Sequence, residues 1–173
     1  MSEKKPARLS RNGAKSQSRS TARLAAVQAL YDSGVTGDSV DVLLKNFIDH
    51  GIGSRAIVTD EDDESETEVA LAAPDPLLFA AILRGSLTQA EQLDEVVGKA
   101  LSGDWSIERL EQVLHAILRA AAFELVNMPD TPVRVVISEY VDIAGAFYSG
   151  PEPGLVNAVL DRIARVVRTS ELG

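Results

Sequence analysis

The chain has no cysteine, one tryptophan and two histidines in 173 residues. It has no apolar run near the roughly 18 residues that a bilayer-spanning helix needs. Without cysteine there is no disulfide framework, no thiolate metal site and no thiol nucleophile. His50 and His115 lie far apart in sequence, which argues against a histidine-based metal centre. A Gly-rich phosphate loop, a GxSxG elbow and an HExxH helix are also missing, so no catalytic role, cofactor or metal is expected. The start, MSEKKPARLSRNGAKSQSRS, is basic, and no apolar segment of signal-peptide type follows it. A cytoplasmic protein that does not enter membranes is expected.

What is present in excess is acid, and it is unevenly placed. The net charge is −9, yet residues 1–23 carry seven basic residues against Glu3 alone, which makes +6. The other 150 residues therefore hold 10 basic and 25 acidic side chains, which makes −15. A basic arm on an acidic body points to a polyanionic partner for the arm, while the body repels nucleic acid elsewhere. Seven of the ten residues in 59–68, TDEDDESETE, are acidic. Such a block repels itself, and with residues 51–74 it reads as a mobile loop. It lacks the glycine and spaced acceptors of a calcium loop.

The rest of the pattern is helical. Residues 1–18 show no apolar period and read as a disordered arm. A first helix is expected from Ser18 or Ser20 to about Asp32, with Gly34 just past its end. Leu24, Val27, Gln28 and Tyr31 fall on one side of it, and Arg19 and Arg23 stand one turn apart at its start. Cations there oppose the helix dipole, a small cost that phosphate binding would offset. A second helix is expected from Asp38 or Ser39 to about Asp49. Asp75-Pro76 reads as an N-cap with proline at the first helical position, opening a run to about Ser102 that Gly85 bends.

The organising stretch is SIERLEQVLHAILRAAAFELVN, 106–127. Ile107, Leu110, Leu114, Ile117, Ala121 and Leu125 recur at helical steps, while alanines and Phe123 fill most other faces. A helix apolar nearly all round must be enclosed by others. Glu108, Glu111, His115 and Arg119 leave one thin polar stripe for solvent or a partner. Thr131-Pro132 opens a further helix to about Phe147, and a last one follows the turn at 149–154. Val133, Val135, Val136 and Ile137 suit a strand individually, but the apolar period extends over too many turns for one. The expected fold is an all-α, two-lobed bundle of about six or seven helices without strands, spanning 19–170. Its lobes fall at about 19–102 and 103–170. The best polar cluster, Asn157, Asp161 and Arg162, reads as interhelical hydrogen bonding before it reads as a site.

Four segments carry a resemblance: ARLAAVQALY (22–31), LEQVLHAILRAAAFEL (110–125), PVRVVISEYVDIA (132–144) and LVNAVLDRIAR (155–165). In order and spacing they resemble the transcription antitermination factor NusB family, from about Arg19 to Arg168. The resemblance implies a two-lobed helical protein, with no enzymatic activity, that binds the small-subunit ribosomal protein NusE. Together the two bind the single-stranded boxA element of rRNA leader transcripts, in the RNA polymerase antitermination complex. By position, Arg19 and Arg23 match the family's N-terminal arginine cluster, with Ser20 and Thr21 where further arginines often stand. Gln28 and Tyr31 match the AVQALY motif. Asn157 and Asp161 match VNGVLD, with Ala158 for its glycine, and Gly154-Leu155 stands where Lys-Phe is common. The resemblance thus assigns Arg19, Arg23, Gln28, Leu155 and Asn157 to RNA. It assigns Tyr31, Leu114 and Phe147 to the protein partner, Leu114 standing where a glutamate often faces NusE. Similar domains are fused to rRNA cytosine methyltransferases; nothing follows Gly173, so a freestanding factor is expected. The alternatives are a helical protein–protein adaptor whose arm only solubilises, or an accessory subunit of an rRNA-modifying enzyme.

Overall fold

The structure is a computed structural model that describes residues 11–50, 55–59, 66–70 and 73–172. Its helices are α1 (Arg11–Thr36), α2 (Val40–His50), α3 (Pro76–Thr88), α4 (Ala90–Ala100), α5 (Gln112–Asn127), α6 (Val133–Phe147), α7 (Glu152–Val167) and the short α8 (Thr169–Leu172). The core is one continuous apolar cluster drawn from α1 to α7. As the composition of 106–127 demands, α5 is the hub: α1, α3, α4, α6 and α7 all pack on it. Ten of its sixteen residues are buried, Ile117, Leu118 and Leu125 completely. Among the described residues no helix is long and apolar enough to cross a membrane.

Several boundaries differ from those the pattern suggests. The central helix does not begin at Ser106. Residues Ile107–Arg109 form a 3-10 turn, and Leu110 and Glu111 are extended before α5 starts. Leu110 is nearly buried, so the chain straightens to drive this side chain into the core. Ser106 makes no capping bond. The first helix begins at Arg11, so residues 11–18 of the expected disordered arm are helical; residues 1–10 lie outside those described. The start of α1 is tied down where Asp75 N–H donates to Ser18 O at 3.0 Å. The helix also runs past Gly34 and ends before Gly37, whose φ of +75° is the left-handed stop.

The expectation of no strands fails within 51–74. Arg55–Thr59 and Glu66–Ala70 pair antiparallel in a two-stranded sheet, in the register Arg55↔Ala70 to Thr59↔Glu66. Local pairing there satisfies backbone groups that a loop would leave to water. Residues 60–65, most of the acidic block, lie outside the described ones.

Gly85 does not bend the chain. The break between α3 and α4 falls at Gln89, whose backbone leaves the helical region. Gly85 is instead where α5 presses closest: a Cβ there would lie 2.0 Å from the Phe123 ring. Asp75 does cap α3, its Oδ1 accepting from Leu77 and Leu78 N–H at 3.0 and 3.1 Å. The α6 start is capped from elsewhere, because Val133 N–H donates to Glu171 Oε1 at 2.8 Å and Thr131 does not serve. Arg168 secures the end of α5, donating to the carbonyls of Glu124, Leu125, Met128, Pro129 and Thr131.

Two charged clusters cross the core. In the first, Arg23 of α1 holds Glu124 of α5 through two hydrogen bonds, 2.8 and 3.0 Å, and Tyr140 of α6 donates to Glu124 at 2.6 Å. Burial alone would push the Arg23 pKa down, but the bond and charge of Glu124 outweigh it and raise it. Tyr140 is pushed well above its ordinary value, first by burial and then by Glu124. The second cluster uses the polar stripe of α5. Asp94 of α4 meets His115 at 2.7 Å and Arg119 at 2.7 and 3.0 Å, so half of that stripe faces α4. Burial raises the Asp94 pKa, and the bonds from Arg119 and His115 more than reverse this, leaving it lowered.

Gly85→Ala forces the Phe123 ring aside and should cost about 1–3 kcal/mol, the range for overpacking. Gly34→Ala, with open space and helical backbone, should stabilise by up to about 1 kcal/mol, both changes being read from urea titrations. Removing either member of the Arg23–Glu124 pair strands a buried charge; Arg23→Met or Glu124→Met should each lose about 3–5 kcal/mol. The double variant should lose less than the sum, and additive losses would contradict the pairing. Finally, the lowered Asp94 pKa means its contribution is present above the unfolded value and lost as pH falls through the folded one. The stability gap between wild type and Asp94→Asn should thus be full above about pH 4 and shrink below it.

Candidate nucleic-acid interface

Lys15, Arg19 and Arg23 stand four residues apart along α1 and form one stripe. The stripe goes from exposed to buried as the helix enters the molecule: Lys15 is exposed, the Arg19 side chain is 30% accessible, and Arg23 is 1% accessible. Arg19 approaches Asp75 at 4.0 Å, too long and too wet to satisfy its guanidinium. Beside this stripe opens a cleft of about 560 Å³. Its far wall is the α5–α6 turn, including Met128, Asp130 and Thr131, with Val135 of α6. A smaller cleft of about 290 Å³ adjoins it, with Ser16, Val135 and Glu139 beside the same three cations.

Arg23 thus corrects an expectation. It was expected to stand with Arg19 as a free phosphate ligand, but Nε and Nη2 are consumed by Glu124 and its third nitrogen lies 3.8 Å from Glu139 Oε1. A polar side chain in an otherwise apolar region needs a partner, and Glu124, inside an alanine-rich run, had to find one too. Reading residues 1–18 as a disordered arm passes over Lys15, which lies in α1. Its spacing of four from Arg19 was the available signal.

A second region lies at the other end of α1. Gln28, Tyr31, Val27 and Asp32 line a groove of about 460 Å³ with Val113 and Phe147. Tyr31 and Phe147 are 38% and 44% accessible, large rings left in the open. The short connection 148–151 brings the first turn of α7 to the Phe147 end of α6. Asn157 is exposed there, whereas Leu155 is half-buried and packs against the core. Leu114 is 1% accessible, which rules it out as a direct partner contact in this conformation. Its α5 position turns inward, where a longer glutamate could not stay unpaired. Asp161 is committed to Arg165 on its own helix at 2.9 Å, and Arg162 to the carbonyl of Ala100 at 2.6 Å, so their cluster with Asn157 is structural. Among the described residues no group of three or more acidic or histidine side chains could hold a metal ion.

The family model of the NusB family matches residues 20–165. The transcription antitermination protein NusB of Rhodospirillum rubrum is 50% identical over 160 residues, covering 89% of this chain and 86% of the relative. That of Caulobacter vibrioides is 45% identical over 157 residues, covering 91% and 99%. Among solved structures, T. maritima NusB superposes with a TM-score of 0.68 at 24% identity, covering 89% of this chain and 96% of that one. A structure of antitermination factors NusB and NusE with double-stranded RNA superposes with a TM-score of 0.66 at 21% identity, covering 86% and 97%. At those identities the structures speak for the fold. Together with the family match and two relatives at 45–50% identity, they lead to one conclusion: this chain belongs to the NusB family.

Proposed function

We propose that this chain is an RNA-binding antitermination factor that acts with NusE on the boxA element of rRNA leader transcripts, within the RNA polymerase antitermination complex. The observation that carries the reading is the pairing of Lys15 with Arg19 along an open cleft, on a body that is otherwise acidic. Phosphate contacts need accessible cations, and a net charge of −15 outside residues 1–23 confines them to this end. Arg23 contributes by position: held by Glu124, it fixes the face of α1 that carries the other two. The groove of Gln28, Tyr31 and Phe147, about 18 Å further along the helix at 1.5 Å per residue, suits a protein surface. Exposed aromatic rings are common anchors in such contacts. Asn157, at the α6–α7 end, is available to an RNA strand leaving the cleft past that partner.

The test is the salt dependence of binding to a single-stranded leader RNA, with and without NusE. If about four phosphates are neutralised, log K should fall with log salt at a slope near −3, from about −0.7 per phosphate. Lys15→Ala with Arg19→Ala should flatten it by about 1.4 units, with the helical circular-dichroism spectrum unchanged. A binding isotherm indifferent to salt and to both cations, with NusE present, would leave the adaptor reading in its place.

A further inference from the structure

We propose that Glu139 is a base-reading residue, accepting hydrogen bonds from the Watson–Crick edge of an unpaired guanine seated in the inner cleft between α1 and α6. The inference rests on the RNA reading of the Lys15–Arg19 cleft and adds to it a base preference. The cleft of about 290 Å³ is lined by the accessible cations Lys15 and Arg19 and by the carboxylate of Glu139. That carboxylate is a poor neighbour for phosphate. It is only half-buried, with its side chain 22% accessible, and it faces the same space as the cations. Glu139 Oε1 accepts from Ser20 Oγ at 2.8 Å, the one hydrogen bond it takes among the described residues. An ionised carboxylate has about four lone-pair positions and no donor, so Oε2 is open to further N–H groups.

Arg23 fixes the polarity of this seat. Two of its nitrogens belong to Glu124, and Nη1 stands 3.8 Å from Glu139 Oε1, so the cation beside that carboxylate is already spent on Glu124. A phosphate chain can therefore lie on Lys15 and Arg19 but meets repulsion beside Glu139. A base can go where the phosphate cannot. Val135 supplies an apolar wall and the Arg19 guanidinium a plane on which an unstacked base can rest. The four bases then differ in what they show an acceptor-only group. Guanine presents N1–H and N2–H side by side. Cytosine and adenine set an amino group beside a ring-nitrogen lone pair, and uracil flanks N3–H with two carbonyls. Only guanine offers two adjacent donors without a lone pair facing the carboxylate, and pairing in a duplex would occupy that edge.

The experiment uses the full chain and uridine oligonucleotides about 12 nucleotides long, with one guanosine placed at each position in turn. Binding is read by fluorescence anisotropy at fixed salt. One position, or two adjacent ones, should tighten binding by about tenfold over the all-uridine oligomer. Inosine there, lacking the N2 amino group, should lose most of that gain. Glu139→Gln keeps an acceptor for Ser20 but turns half the carboxylate into a donor, and the guanosine-to-uridine affinity ratio should fall to about one. A ratio that survives Glu139→Gln overturns the proposal. So does a wild-type protein without guanosine preference whose uridine binding still weakens with Lys15→Ala and Arg19→Ala. If Glu139→Gln fails to fold by circular dichroism, inosine decides alone: equal affinity for inosine and guanosine refutes the seat. Binding that ignores Lys15 and Arg19 altogether removes the RNA site and the inference with it.

Discussion

The buried pairing of Arg23 with Glu124 decides how α1 lies on the rest of the molecule. Both side chains are essentially inaccessible, and their bond joins the first helix to the hub. Energetically such a pair is no obvious gain, since desolvating two charges offsets most of their attraction. Its effect is on geometry. A bidentate guanidinium–carboxylate contact has one good arrangement, and the Tyr140 hydroxyl on Glu124 ties a third helix to it. Apolar packing among the alanines of α1 and α5 is non-directional, whereas the ion pair fixes one rotation of α1 about its axis.

That constraint travels outward along α1. Residues four apart on a helix are offset by about 40°, so a stripe that starts buried drifts as it climbs. Arg23 is inside, Arg19 is at the edge and Lys15 is in solvent. The acids nearby are placed to match: Asp75 lies 4.0 Å from Arg19 while its other oxygen caps α3, and Glu139 sits below, held by Ser20. None of them forms a close bond with Lys15 or Arg19. The cations remain available, and the acids limit where a polyanion can settle.

Much of the fold was legible because the determining signal is periodicity. The all-round apolar character of 112–127 required an enclosed helix, and α5 is one. The period through Val133–Phe147 outweighed four β-branched residues that favour a strand, because burial along a continuous face exceeds intrinsic propensity. The errors came where a tertiary contact competes with a local signal. Glycine weakens helices and so suggests a bend at Gly85, but its role is to admit the Phe123 ring. Thr131 was read as the cap of α6, a position that Glu171 fills from 38 residues away. The paired strands Arg55–Thr59 and Glu66–Ala70 are hidden by the acidic block beside them, and strand pairing depends on a partner that a single segment does not reveal.

At the candidate site the same distinction holds. The positive charge of the first 23 residues, and its contrast with the acidic body, could be counted directly. Which of those charges reach solvent could not, because it depends on Glu124, a residue 101 positions away in sequence. An arginine in an arm of arginines and lysines carries no mark that it is structural. The mark was on the other side: Glu124 is the sole acid in a run of fifteen residues from Gln112 to Val126, too deeply placed to stay unpaired. A lone carboxylate in an enclosed helix demands a buried cation. The cation comes from Arg23 of α1, whose small Ala22, Ala25, Ala26 and Ala29 bring that helix close to α5. Searching the interior for unpaired acids therefore locates the structural arginine, and by subtraction the ones left free for phosphate.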